Sequence, residues 1–138
     1  MIINCKEIMT ILEHQGVNLE GKNVVIAQRS NIVGKSVSNL MIDTGATVTI
    51  CNSKTNMDCL AYLFFNADIF ISAIGKANYF NKKFFLDNRM LLEYLDSTIA
   101  INLCINRDNE GKLCGDIDEE LFNSFKEVIS VPIIDLGF

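Results

Sequence analysis

Short runs of β-forming apolar residues alternate along this chain with stretches whose apolar residues recur at helical spacing. That alternation limits the fold more than any other feature. In Asn23-Val24-Val25-Ile26-Ala27 the apolar side chains are consecutive, so both faces of such a strand need cover, the pattern of a buried parallel strand. Further strands are predicted at 46–51, 67–73, 97–103 and 131–134. Asn4 can cap a first helix that carries Ile8, Met9, Ile11 and Leu12 and ends at Gly16. A helix over 33–44 puts Val37, Leu40 and Met41 on one face, with Gly45 just past its end. Another is predicted over 57–65, and one or two aromatic- and leucine-rich helical segments over 78–95. Asn106 to Gly115 reads as a hairpin or long loop around Asn109-Glu110-Gly111, and Asp118 caps a helix over 119–128. Strands alternating with helices imply an α/β three-layer sandwich, a mostly parallel sheet covered on both faces.

A chain of 138 residues fits one domain and can bury a core without a disulfide or metal staple. Twelve basic residues against 17 acidic give a net charge of -5, which argues against a nucleic-acid partner. The five cysteines include no CxxC pair and His14 is the sole histidine, so reduced thiols and no metal site are expected. The first residues are charged by Lys6, so no signal peptide is expected. Apolar runs such as 61–65 and 69–71 are too short to span a bilayer. No membrane partner and a cytoplasmic location follow as expectations.

Open parallel sheets bind ligands at the carboxyl ends of their strands, and the loop after the first strand usually meets phosphate. That loop, residues 27–35, is neither a GxGxxG loop nor a P-loop, since its only glycine is Gly34. It offers helix N-terminal amides, the Ser30 hydroxyl and the Arg29 guanidinium, a possible anion cradle. The plainer reading is a solvated loop with Ser30 or Asn31 as a cap. After the second strand stands Asn52-Ser53-Lys54-Thr55, where an NAD-binding domain often has a carboxylate for the ribose hydroxyls. Ser53 and Lys54 near Arg29 would suit a 2′-phosphate, which tilts the cofactor toward NADP over NAD. Here too the plain alternative is a helix cap, at Ser53 or Thr55. Asp116 and Asp118 are read as a turn residue and an N-cap, His14 as a surface residue, and Lys82-Lys83 as an exposed charge pair.

From Arg29-Ser30-Asn31-Ile32-Val33-Gly34-Lys35 onward the sequence resembles the cofactor-binding domain of methylenetetrahydrofolate dehydrogenase/cyclohydrolase. Gly21 to Val25, Gly45 to Thr55, Ala67-Asp68-Ile69 with Gly75-Lys76, and Ile105-Asn106-Arg107 leading to 111–118 follow in the family's order. The resemblance spans roughly residues 5–130 and implies a single Rossmann-like NAD(P)-binding domain over 1–138. It implies cofactor contacts at Gln28, Arg29, Ser30, Ser53 and Ile105 and, by itself, no catalytic residue. Several positions depart from the family. Gln28 replaces a loop glycine, Ser36 a proline and Cys104 another glycine, and residues near 84–95 look inserted. Residues 131–138 replace the family's glycine-rich loop and returning helix. The folate domain, with the tyrosine and lysine that carry the chemistry, is not within these residues.

Three readings stay open on this footing. In the first, the chain holds NADP while a separate folate-binding chain supplies the catalytic groups. In the second, it is a degenerate nucleotide-binding module. In the third, it is a relic that uses its former interface as a homo-oligomer.

Overall fold

The computed structural model describes residues 5–29 and 31–130. The elements run α1 (Cys5–His14), β1 (Asn23–Gln28), α2 (Asn31–Asp43), β2 (Thr47–Cys51), α3 (Met57–Asn66), β3 (Ile69–Ala73) and α4 (Lys82–Asp87). A 3₁₀ turn at Leu92–Ser97 leads to β4 (Ile99–Asn102), and a small hairpin, β5 (Asn106–Arg107) and β6 (Leu113–Cys114), follows. A second 3₁₀ turn, Glu119–Leu121, precedes β7 (Glu127–Ser130).

Five strands form one sheet in the order β2-β1-β3-β4-β7, and every pair is parallel. β1 is flanked by β2 and β3, with Ile26 opposite Ile50 on one side and Ile71 on the other. The chain therefore leaves β1 toward one edge and returns to the other side of β1 for β3. Such a reversal opens a crevice at the carboxyl ends of the strands.

The consecutive apolar residues of the central strands divide between two cores because strand side chains alternate. Val24 and Ile26 join Ile69, Ile71 and Ile101 beneath α1 and α2, against Ile8, Leu12, Val37 and Met41. Val25 and Ala27 join Phe70 and Ala100 on the opposite face, against Leu60 and Phe64 of α3 and Phe80 and Phe85 near α4. In this second core Phe64 and Phe70 lie 4.2 Å apart between centroids, and Phe80 meets Phe70 edge-on at 5.1 Å. These contacts, the first tilted and the second edge-to-face, add to burial and fix the rings in place. The three-layer sandwich read from the sequence is the observed architecture.

One segment differs from the sequence reading. Residues 119–128 do not form a helix. Asp118 caps only a 3₁₀ turn, accepting from the Glu120 amide at 3.2 Å. The β-branched pair Val128-Ile129 then joins the sheet, placing Ile129 opposite Ile101. Pairing with β4 satisfies backbone groups at the sheet edge and overrides the local helical pattern. The strand expected at 131–134 and the Asn4 cap lie outside the described residues. Over 78–95 the chain forms the short α4, capped by Asn81, and then a 3₁₀ turn. Arg89 between them has a φ of 58°, which ends any continuous helix. The hairpin at 106–115 is present, its tip closed by Asp108, whose side chain accepts from the Glu110 and Lys112 amides. No helix among the described residues is long and apolar enough to cross a membrane.

Candidate functional site

The carboxyl ends of β1 and β2 and the connection from β3 to α4 surround a crevice of about 140 Å³. β1 ends in Gln28, which is buried, and the chain continues to Arg29, which is exposed at the mouth. β2 delivers Asn52 and Ser53 to the opposite side, and α3 contributes Leu60. Ile74, Lys76 and Tyr79 complete the far wall. No aspartate or glutamate lines the crevice among the described residues, whereas Arg29 and Lys76 both do.

The loop after β2 is locally built. The Asn52 amide donates to Thr55 Oγ1 at 3.0 Å, and Asn52 Oδ1 accepts from the Lys54 amide at 2.9 Å. Asn56, rather than Ser53 or Thr55, caps α3, its Oδ1 accepting from the Asp58 amide at 2.8 Å. The capping role considered for Ser53 and Thr55 is thereby corrected. Asn56 stands one residue before the helix, where its carboxamide reaches the second helical amide.

The loop after β3 turns at Gly75, whose φ of 78° suits a residue without a side chain. A Cβ there would stand 3.4 Å from the Arg29 guanidinium and 4.0 Å from the Cys104 thiol. Arg29 is thus laid along the loop backbone at the crevice edge. Lys76 Nζ sits 5.7 Å from the centroid of the Tyr79 ring, a cation–π distance.

Asp116 is the residue that sequence reasoning missed. It is fully buried. Its Oδ2 accepts from Ser72 Oγ at 2.6 Å and the Ile74 amide at 2.9 Å. Its Oδ1 accepts from the Gly75 and Lys76 amides, each at 3.0 Å, and from Asn106 Nδ2 at 3.0 Å. The chain bends at Asp116, in keeping with a turn residue, but the carboxylate serves more than the turn, with partners up to 44 residues away. Its sequence signals are its place in the resembled stretch 111–118 and the nearby Asp118, and neither names its partners.

Two thiols border this region. Burial pushes the Cys104 thiol up to about 11, reinforced by Asp116 and partly offset by Arg29 and an amide hydrogen bond from Gly75. Burial and nearby Cys59 raise Cys51 as well, with the Thr55 hydroxyl working the other way. Both favour the neutral thiol, so neither is poised as a nucleophile at neutral pH. Among the described residues no group of three His, Cys, Asp or Glu side chains could hold a metal ion.

Of the residues singled out from sequence, Gln28, Arg29 and Ser53 therefore meet at one crevice. Ile105 is 54% exposed and does not line it, and Ser30 lies outside the described residues.

Residues 4–134 match the family model described as tetrahydrofolate dehydrogenase/cyclohydrolase, NAD(P)-binding domain. The chain belongs to that family. Its resemblance to the family in sequence is thereby established over nearly its whole length. The bifunctional protein FolD of Streptococcus thermophilus is 42% identical over 124 residues, covering 90% of this chain and 39% of that protein. FolD of Clostridium botulinum (strain Okra) is 41% identical over 122 residues, covering 88% of this chain and 38% of that protein. The chain thus spans well under half the length of these relatives. In structure it is similar to the bifunctional FolD methylenetetrahydrofolate dehydrogenase/cyclohydrolase of Campylobacter jejuni. The TM-score is 0.72 at 29% identity, over 94% of this chain and 42% of that one. The Trypanosoma brucei enzyme, solved with NADP cofactor and an inhibitor, shares the fold with a TM-score of 0.66 at 24% identity, over 99% of this chain and 44% of that one.

Proposed function

We propose that this chain, as one dinucleotide-binding unit over 1–138, holds NADP in the crevice between the ends of β1 and β2. In this reading it is the cofactor-holding part of a methylenetetrahydrofolate dehydrogenase/cyclohydrolase in folate one-carbon metabolism. The observation that carries it is the meeting of Arg29 and Ser53 at a crevice with an apolar wall and no lining carboxylate. The fit is chemical. Leu60 and Tyr79 offer a surface for a flat base, while Arg29 and Ser53 offer a guanidinium and a hydroxyl for a 2′-phosphate. A carboxylate after β2, which would repel that phosphate, is replaced by Asn52-Ser53-Lys54-Thr55. Family likeness adds Ser30 and Ile105 as further cofactor contacts.

Bound NADP would supply a hydride acceptor. The residues here do the holding: Arg29 and Ser53 fix the phosphate end, and Gly75 lets the loop backbone approach closely. Proton transfer at the folate belongs to groups outside these residues. A folate-binding segment, in a separate chain or elsewhere in the same one, is accordingly part of the proposal. So are a cytoplasmic location and self-association, the last supported by exposed apolar Phe65, Leu91 and Tyr94.

Gln28 supports a second reading. Buried at the crevice where the resembled domains carry glycine, it restricts approach of a pyrophosphate, as in a module that has weakened or lost its cofactor. Calorimetric titration of the purified protein with NADP, NAD and tetrahydrofolates decides between them. Saturable NADP binding, tighter than NAD, is expected. Heat signals equal to dilution for both dinucleotides favour the degenerate module.

A further inference from the structure

The geometry points to Asp116 as the positioning residue of the dinucleotide crevice, a carboxylate that sets the shape of the binding loop without lining the crevice itself. This inference rests on the NADP-binding reading above.

A buried carboxylate is costly unless its lone pairs are taken up by donors. Among the described residues, five donor groups converge on this one. Three are the successive backbone amides of Ile74, Gly75 and Lys76. Fixing three consecutive N–H vectors leaves the loop one conformation. That conformation matters because Ile74 and Lys76 line the crevice and the Arg29 guanidinium lies against Gly75. Asp116 therefore acts through the loop on both cations of the crevice.

Its own position is fixed independently. The Phe80 amide donates to the Asp116 carbonyl at 2.8 Å, and the Asn78 amide to the Gly115 carbonyl at 3.0 Å. The Ile117 amide donates to Asn102 Oδ1 at 3.1 Å, tying the segment to the end of β4. The hairpin of β5 and β6 thus returns the chain to clamp the β3–α4 connection.

The hydrogen bonds also say what a neutral replacement would do. Oδ1 accepts from two loop amides and Oδ2 from a third. Asparagine has one acceptor oxygen, so either orientation of its carboxamide turns an NH₂ donor toward a backbone donor. Asp116→Asn keeps the size of the side chain and breaks the clamp.

The test combines NADP titration with amide hydrogen exchange on the same proteins. Asp116→Asn should weaken NADP binding at least 10-fold and speed exchange at the amides of 74–76 at least 10-fold. Leu12→Ala, a core truncation beneath α1 on the opposite face of the sheet, serves as the destabilised control and should leave NADP affinity within about 2-fold. If Asp116→Asn does not fold, Ser72→Ala and Asn106→Ala each remove one donor and leave the carboxylate. They should weaken NADP binding about 2- to 5-fold and loosen the same amides. Wild-type protein that binds no NADP overturns the binding function and this inference with it. Wild-type protein that binds, beside folded variants that bind as tightly or lose no more than Leu12→Ala does, overturns the positioning role alone.

Discussion

Arg29 leaves the end of β1 with its guanidinium against the Gly75 backbone, and it is exposed enough to meet an incoming anion. A charge-assisted hydrogen bond contributes about 1.5–3 kcal/mol when well formed. Arg29→Ala should therefore weaken NADP binding by roughly 10- to 100-fold and NAD binding much less, measured by calorimetry on both dinucleotides. Equal losses for the two would place Arg29 away from the 2′-phosphate. Gln28 acts in the opposite sense. Its buried side chain lines the crevice at the position of the resembled domains' loop glycine, so Gln28→Gly should tighten NADP binding, and an unchanged affinity would remove the steric account. Cys104 gives a pH expectation. Its thiol, raised from 9.0 to about 11, stays neutral in the folded protein while the unfolded chain already ionises. The sign follows from proton linkage: stability is unaffected below pH 9 and falls as pH rises from 9 toward 11. Cys104→Ser should flatten that part of the pH–stability profile in urea denaturation.

At the scale of elements, the hairpin segment packs closely on the end of β4 at Gly115. A Cβ on Gly115 would stand 2.7 Å from Asn102 Cγ. The Asn102 carboxamide cannot yield freely, since it accepts from the Ile117 amide and donates to Ser130 Oγ at 3.4 Å. Gly115→Ala should destabilise the protein by about 1–3 kcal/mol through this overpacking. The chemical-denaturation midpoint reads the loss, and a midpoint within error of wild type contradicts it. Elements with local signals were legible. β1 and β3 show consecutive apolar residues, and the turn that stops α1 contains Gly16, which has a φ of 73°. The segment 119–128 was not, because its fate depends on β4 standing alongside, a partner roughly 28 residues back in sequence.

For the whole molecule, the sheet opens a crevice at the carboxyl ends of its strands, and among the described residues no aspartate, glutamate or histidine lines it. The 138 residues assayed by themselves should bind NADP without oxidising methylenetetrahydrofolate or hydrolysing the methenyl form. A positioned proton-transfer group is commonly worth ~10²–10⁴ in rate, and oriented binding between two walls contributes ~7–11 kcal/mol to lowering a barrier. In the proposed reading these residues form the cofactor side alone. Turnover that survives stringent purification and disappears in Arg29→Ala would reveal a catalytic group within these residues.

The sequence by itself determined the layered α/β architecture, because strand and helix periods are local and each apolar run states which faces need cover. It also marked Arg29 and Ser53, since loops after the strands of an open parallel sheet gather at their carboxyl ends, and the family resemblance added Gln28. Tertiary structure alone decided that Ile105 stays off the crevice lining, that Asn56 caps α3 within a loop closed by Thr55, and that 127–130 pairs as a strand. It alone revealed Asp116 as the hub of the binding loop. A carboxylate announces its charge in sequence, but four of its five partners are brought in by chain crossings 40 to 44 residues apart, and no local pattern encodes those.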